Sequence, residues 1–314
     1  MELSTILSLG QTALELGLVC SLTVLALFLS YSMLNVCDLS TDGCFTLGAA
    51  VGAVVALAGH PWLSLGAAMA AGIISGFVVA VLQTRMGVNS LLACIIVNSG
   101  LYSIHIAVMG GSSMLNMNKT ETVFSIVKTA LNGTSLEGAY RLLVSGAAVI
   151  AALLILTLFL RTRLGLAIRA TGNNPDMVRS SSINPAFTTT VGLCIANAFT
   201  ALSGCLLAQS QKAVDINLGT GMVTIALASL LIGGTVMGRG GVFRRAVGVV
   251  LGAIIFRLVY TVALRFNMPA FMLKLVSSVI VVLAISIPYL KAQLPMLRRR
   301  MAGRTASGAK GGRE

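Results

Sequence analysis

The chain predicts an all-α integral membrane protein of about nine transmembrane spans with broken helices, and three observations carry that prediction. Of its 314 residues 56% are hydrophobic and only 10% charged, far outside the range of soluble domains. Apolar runs of roughly 20 residues, long enough to cross the hydrocarbon core of a bilayer, recur along it. Its charges stand between those runs and crowd the C-terminal tail. The formal charge of +13, from 22 basic and 9 acidic residues, therefore reads as orientation charge beside lipid rather than a nucleic-acid footprint.

Residues 1–12 form a short, mildly amphipathic segment expected at the membrane interface. Span one follows at 13–34, and the absence of a basic region before it marks a retained helix rather than a cleaved leader. Asn35 to Gly43 then interrupts the apolar pattern with two acids and no cation. The run after it, to Ala58, is too short to cross unaided. Span three, 63–84, is rich in small residues, and Gly72 and Gly76 lie four apart, which permits close helix packing. Span four, 88–109, carries Asn98, Tyr102 and His105 at spacings of four and three, so all three are expected on one helical face.

Residues 110–141 form a polar connection containing a small apolar patch, Phe124, Ile126, Val127 and Leu131, that suits a short surface helix. Span five covers 142–160 and span six 186–209. A polar break at 212–221 precedes span seven, which ends at Met237. Gly238 to Gly241 reads as a tight interhelical turn, not as a phosphate cradle. Spans eight and nine are expected at 246–264 and 269–290. The basic tail, 291–314, is expected to be disordered.

Nine crossings put the two termini on opposite faces, and the cations choose between them. With the tail inside, fifteen Lys or Arg fall on the cytoplasmic side against five outside, so the N-terminus is expected outside and the C-terminus in the cytoplasm. The break at Asn35 to Gly43 should then face the cytoplasm, yet it holds no positive charge. It reads instead as unwound chain at membrane depth, tolerated only where protein or a wet cavity surrounds it. The segment Asp38 to Thr46 is echoed at Asn217 to Thr224, and the two breaks face opposite ways in this topology. The halves are thus expected to be inverted repeats, with Asn35, Asp38, Thr41, Asp42, Asn217 and Thr220 joining Asn98, Tyr102 and His105 along a translocation path.

Chemistry is sparse. The chain has two histidines and no zinc-protease or nucleotide-binding motif, and its six cysteines lack paired spacing. Neither a catalytic residue nor a metal site is expected, and the cysteines read as small core residues.

The longest polar interruption, 161–185, contains four arginines, Arg161, Arg163, Arg169 and Arg179. Its run Gly165-Leu166-Ala167-Ile168-Arg169-Ala170-Thr171-Gly172-Asn173-Asn174, followed by Arg179, Ile183 and Asn184, resembles the cytoplasmic coupling loop of permease subunits in the ABC importer family that serves branched-chain amino acids and ribose. The likeness extends from about residue 13 to 289 and is strongest to permeases of the tryptophan/tyrosine type. Family members usually carry Ser-Gly-Ile-Asn where this chain has Ser181-Ser182-Ile183-Asn184, so a different turn is expected there. The resemblance implies a plasma-membrane dimer of permease subunits, two cytoplasmic ABC ATPases that hold the ATP and magnesium, and an extracytoplasmic substrate-binding protein. It leaves this chain with no cofactor of its own. It also implies a small solute as cargo: a hydrophobic or aromatic amino acid, or alternatively a neutral sugar or nucleoside. A gradient-driven carrier working alone and a structural membrane scaffold are the competing classes; the first would use ionisable groups in mid-span, for which Asp38, Asp42, Arg257 and Lys274 are the candidates.

Overall fold

The computed structural model describes residues 2–133, 137–238 and 240–265, and beyond them residues 275, 278–283 and 286. Helix α1, Glu2–Leu27, continues into a π-helical turn, Phe28–Met33. It runs without interruption through residues 2–12, so the segment before Ala13 is helical and continuous with span one. Then follow α2 (Thr41–Leu57), α3 (Pro61–Thr84), α4 (Ser90–Val108), strand β1 (Met114–Asn116), α5 (Val123–Ala130) and α6 (Tyr140–Arg161). The second half contains α7 (Arg163–Asn173), α8 (Pro175–Ser180), α9 (Pro185–Gln211), β2 (Ala213–Asp215), α10 (Met222–Met237) and α11 (Val242–Arg265).

Among the described residues six helices are long and apolar enough to cross a membrane, and α2 and α10 are shorter apolar helices. These eight helices occupy the positions of the first eight expected spans, six of them with the length of a full crossing. The ninth, at 269–290, lies largely outside the described residues, as do Arg239, Lys274 and the tail.

Local chemistry starts many of these helices. Asn174 and Asn184 each precede a proline, and their side chains accept the first free amides of α8 and α9. The prolines fit the first helical position, where an N–H would be unpaired in any case. Asn89 and Thr122 cap α4 and α5 in the same way. The short helix expected around Phe124 is present as α5, with Val123 and Phe124 buried.

Helix α9 is the centre of the bundle, and glycines let its neighbours approach it backbone to backbone. A Cβ on Gly72 of α3 would stand 2.4 Å from the carbonyl of Asn197, and one on Gly48 of α2 would stand 2.1 Å from that of Ala201. In lipid no hydrophobic force draws helices together, so such approaches supply much of the association. Ser203 Oγ donates to the carbonyl of Val19, and Leu34 packs near Gly192, so α1 and α9 run antiparallel. Around this pair α3 and α2 lie on α9, while α11 and α10 lie on α1.

The two ends of the bundle differ. At one, β1 and β2 form an antiparallel ribbon, Gln11 Nε2 donates to the carbonyl of Gly138 at 2.7 Å, and Lys128, Arg141 and Lys212 line a cleft of about 320 Å³. At the other, Arg85 shares a cleft of about 490 Å³ with Asn184 and Phe187, and the loop 161–185 packs against the end of α1. Among the described residues, Lys128, Arg141 and Lys212 thus stand at one end, and Arg85 and the loop that carries four arginines at the other.

Candidate functional site

The first break begins where the π-turn ends. Leu34 closes that turn with its N–H on the carbonyl of Leu29, and Asn35 takes a left-handed φ of 56°. The chain then runs non-helically to Ser40, with Asp38 as the one acid of that stretch, while Asp42 falls in the first turn of α2. This leg climbs back to the middle of the bundle: Asp38 meets Asn197, one residue from the midpoint of the 27-residue α9. Helix α2 therefore starts at mid-depth, which explains how 17 residues suffice for it.

Asp38 is 2% exposed, and a buried carboxylate must be paired or fully hydrogen-bonded. Its Oδ1 accepts from the amide and hydroxyl of Ser40 and, at 3.5 Å, from Cys94 Sγ of α4. Its Oδ2 accepts from Asn197 Nδ2 at 2.7 Å. Asn197 also donates to the carbonyl of Leu193, and its own Oδ1 is buried without a partner. Thr41, also buried, returns its hydroxyl to the carbonyl of Asp38 at 2.9 Å.

The second break meets the first. Lys212 ends α9 with a left-handed φ of 54°. After β2 the chain descends to α10, whose N-terminus is capped from 179 residues away: Asp42 Oδ2 accepts from Gly221 N at 2.9 Å. Its Oδ1 accepts from Val223 N at 2.8 Å, and Thr46 Oγ1 accepts from Gly219 N. Both short helices thus begin in mid-bundle, and one carboxylate offsets the positive end of α10. Gly219 is required for this approach, since a Cβ there would lie 2.1 Å from the carbonyl of Asp42.

Of the expected path residues, Asp38, Thr41, Asp42 and Asn98 come together; Asn98 Oδ1 lies over the Cα of Gly43. Asn35, Asn217 and Thr220 are exposed at the margins of the breaks. The shared face of α4 is corrected: His105 is 2% exposed with neither ring nitrogen hydrogen-bonded, whereas Tyr102 is 52% exposed. The buried stripe comprises Ala93, Cys94, Val97, Leu101 and His105, and Tyr102 lies roughly 60° further around the helix than His105, beyond its edge. Residues not singled out from the sequence complete the cluster: Ser40, Thr46, Cys94 and above all Asn197. An amide amid the small residues of a span was the available signal for Asn197.

The loop after α6 folds into two short helices. Thr162 Oγ1 accepts from Gly165 N, and a Cβ on Gly165 would meet the carbonyl of Phe159 at 2.3 Å. Helix α7 buries Gly165, Ile168 and Thr171, and Thr171 shares a 2.8 Å hydrogen bond with Thr188 of α9. Ala170, Asn173, Asn174, Arg179, Ile183 and Asn184 face outward, while Arg169 is half-buried. Leu166, Met177 and Phe187 add an apolar surface, 53%, 67% and 56% exposed. Arg179 approaches Asp176 at 3.7 Å, both strongly exposed, so this pair contributes little. Gly172 touches the first break: a Cβ there would lie 2.1 Å from the carbonyl of Met33 and 2.9 Å from Leu34 Cα. The turn at Ser182 is left-handed, φ 60°, so serine holds the conformation that glycine adopts freely.

Comparison with known proteins agrees with this architecture. The chain is 29% identical over 267 residues to a tyrosine transport system permease protein of Clostridioides difficile, covering 85% of this chain and 86% of that protein. It is 33% identical over 224 residues to an uncharacterized protein of Rickettsia prowazekii, covering 71% and 75%. It is 28% identical over 221 residues to the galactose/methyl galactoside import permease MglC of Haemophilus influenzae, covering 70% of this chain and 63% of that one. No solved structure matches significantly. Residues 11–285 match the family described as the permease component of the branched-chain amino acid transport system, and the chain belongs to that family of multi-pass membrane permeases.

Proposed function

We propose that the chain is the membrane subunit of an ATP-driven importer that moves a hydrophobic or aromatic amino acid inward, with a separate cytoplasmic ATPase acting on the 161–185 loop. One observation carries the mechanical reading: the surface-facing α7 rests by its backbone on Met33 and Leu34, where the first break begins. A partner that docks on the exposed Leu166, Met177 and Ile183 can therefore act directly on unwound chain inside the bundle. Arg161, Arg163, Arg169 and Arg179 supply charge for headgroups or for acids of that partner. ATP and magnesium belong to the ATPase. A substrate-binding protein on the opposite face and a second permease subunit, identical or related, complete the assembly.

The tyrosine permease relative supports an amino acid as cargo, and the mixture of amide, hydroxyl and few fixed charges around the breaks suits a small zwitterion. The galactose permease relative supports the second reading, a neutral sugar. A carrier working alone is less well supported, because Asp38 and Asp42 are both engaged in internal hydrogen bonds and Arg257 donates to Cys20 Sγ. An inverted repeat is supported by the antiparallel α1 and α9, each followed by a break and a short helix. The N-terminus is placed outside, with the loop and tail in the cytoplasm.

The test is uptake of labelled tyrosine, tryptophan, leucine, ribose and galactose by proteoliposomes holding the assembled complex. The amino acids are expected first; uptake of sugars alone refutes that choice. Ala170→Cys should react with a thiol reagent from the cytoplasm and Ala130→Cys from outside, and the reverse pattern overturns the topology.

A further inference from the structure

The first break lies between two contacts that nothing in the family assignment connects. At its start, Met33 and Leu34 lie beneath Gly172 so closely that no side chain fits. Leu34 also packs near Gly192 of α9, 3.2 Å from where a Cβ on that glycine would stand. Four residues on, Asp38 is tied to α4 through Cys94 and to α9 through Asn197. Residues 34–40 form no regular structure, so a displacement of Leu34 passes along the leg instead of being absorbed by helical hydrogen bonds.

We propose that this leg transmits motion from the ATPase-facing loop to mid-membrane, and that the Asp38–Asn197 hydrogen bond is the latch which the motion releases. Asp38 and Asn197 are positioning residues in this scheme. Pressure on α7 passes through the Gly172 backbone contact to Met33 and Leu34. The leg shifts, Asp38 leaves Asn197, and the start of α2 with Thr41 and Gly43 moves relative to Asn98. The latch suits repeated opening, because every group opposite Asp38 is a neutral donor: Ser40, Cys94 and Asn197. None of them is left as an unpaired buried charge when the carboxylate withdraws. The unpartnered Oδ1 of Asn197 gives that amide an unused acceptor beside the leg. Ser40 lies two residues along the same leg and travels with Asp38, so the carboxylate keeps its amide and hydroxyl donors while it gives up Asn197.

The inference rests on the loop being the ATPase contact, and the experiment separates the two. ATP hydrolysis and uptake are measured together on the complex in proteoliposomes, with buried Cys94 kept and the other native cysteines replaced in the cross-linking arm. Asp38→Asn should lower uptake per ATP hydrolysed about tenfold, the scale of one charge-assisted hydrogen bond, while leaving hydrolysis itself nearly unchanged. Asn197→Ala, which removes the same bond from the α9 side, should reproduce that split. Bridging Leu34→Cys to Gly192→Cys with a reducible thiol cross-linker should stop uptake, and reductant should restore it. Gly172→Ala should depress hydrolysis and uptake together. Full uptake by the cross-linked permease, or equal falls of uptake and hydrolysis in both latch variants, overturns the leg and leaves the loop reading standing. Wild-type behaviour of Gly172→Ala removes both.

Discussion

The two breaks share a plan and differ in how they are held. Each opens on a left-handed residue that is not glycine, Asn35 in the first and Lys212 in the second, and each leads into a short helix that starts at mid-depth. The first is held by its own side chains, which reach outward: Asp38 to α4 and α9, Asp42 and Thr46 to the second break. The second is held by its backbone, donated to Asp42 and Thr46, and by its ribbon with β1. One break therefore supplies acceptors and the other supplies amides. Two similar stretches of sequence thus have unequal sensitivity to substitution, and the acids of the first half belong energetically to the second.

The contrast is sharpest at Asp42. Asp42→Ala strips the cap from α10 and leaves two partly buried amides unpaired, which should destabilise the protein by about 2–4 kcal/mol. Thermal unfolding of the detergent-solubilised permease should record it as the largest drop in midpoint of the set, and an unchanged midpoint would break the supplier and receiver distinction. Asp38→Asn keeps shape and part of the hydrogen bonding, so the same measurement should show a loss of only about 1 kcal/mol, its main effect falling on transport. The smallest test concerns the openings. Lysine tolerates a left-handed backbone less well than asparagine, so Lys212→Gly should raise stability by about 0.5–1 kcal/mol and Asn35→Gly by less. Equal responses at both positions would remove that difference between the breaks.

Hydropathy made the helices legible, because an apolar run of span length has one principal use in a chain of this composition. The first break was legible for the converse reason: Asp38 and Asp42 without a cation cannot sit in lipid, so a protein-lined interruption was required. Glycine spacing announced the close contact of α3 at Gly72 and Gly76. Partnership across long separations was hidden. Nothing near Gly221 signals a helix start, since its cap comes from Asp42. Nor does spacing alone distinguish Tyr102 from His105, because the width of the buried stripe depends on how near α2 comes to α4. The docking of Gly172 on Met33 likewise joins segments whose local patterns are independent. Serine at 182 pointed toward an altered turn, but the backbone there is left-handed all the same, closed by the amides of Ser182 and Ile183 on the carbonyls of Arg179 and Val178, at a small local cost.

The distance along the chain between Asp38 and Asn197, 159 residues, has a consequence for how the protein is made. At about 5–20 residues per second, the ribosome delivers Asn197 roughly 8–32 s after Asp38. For that interval α1 to α4 stand in the bilayer without the helix on which α2 and α3 close, and with a carboxylate whose partner amide on α9 has yet to be made. The first half must therefore be sheltered at the insertion machinery, or remain hydrated, until α9 arrives. A chain truncated after α8 should accordingly insert and then be degraded far faster than one truncated after α9.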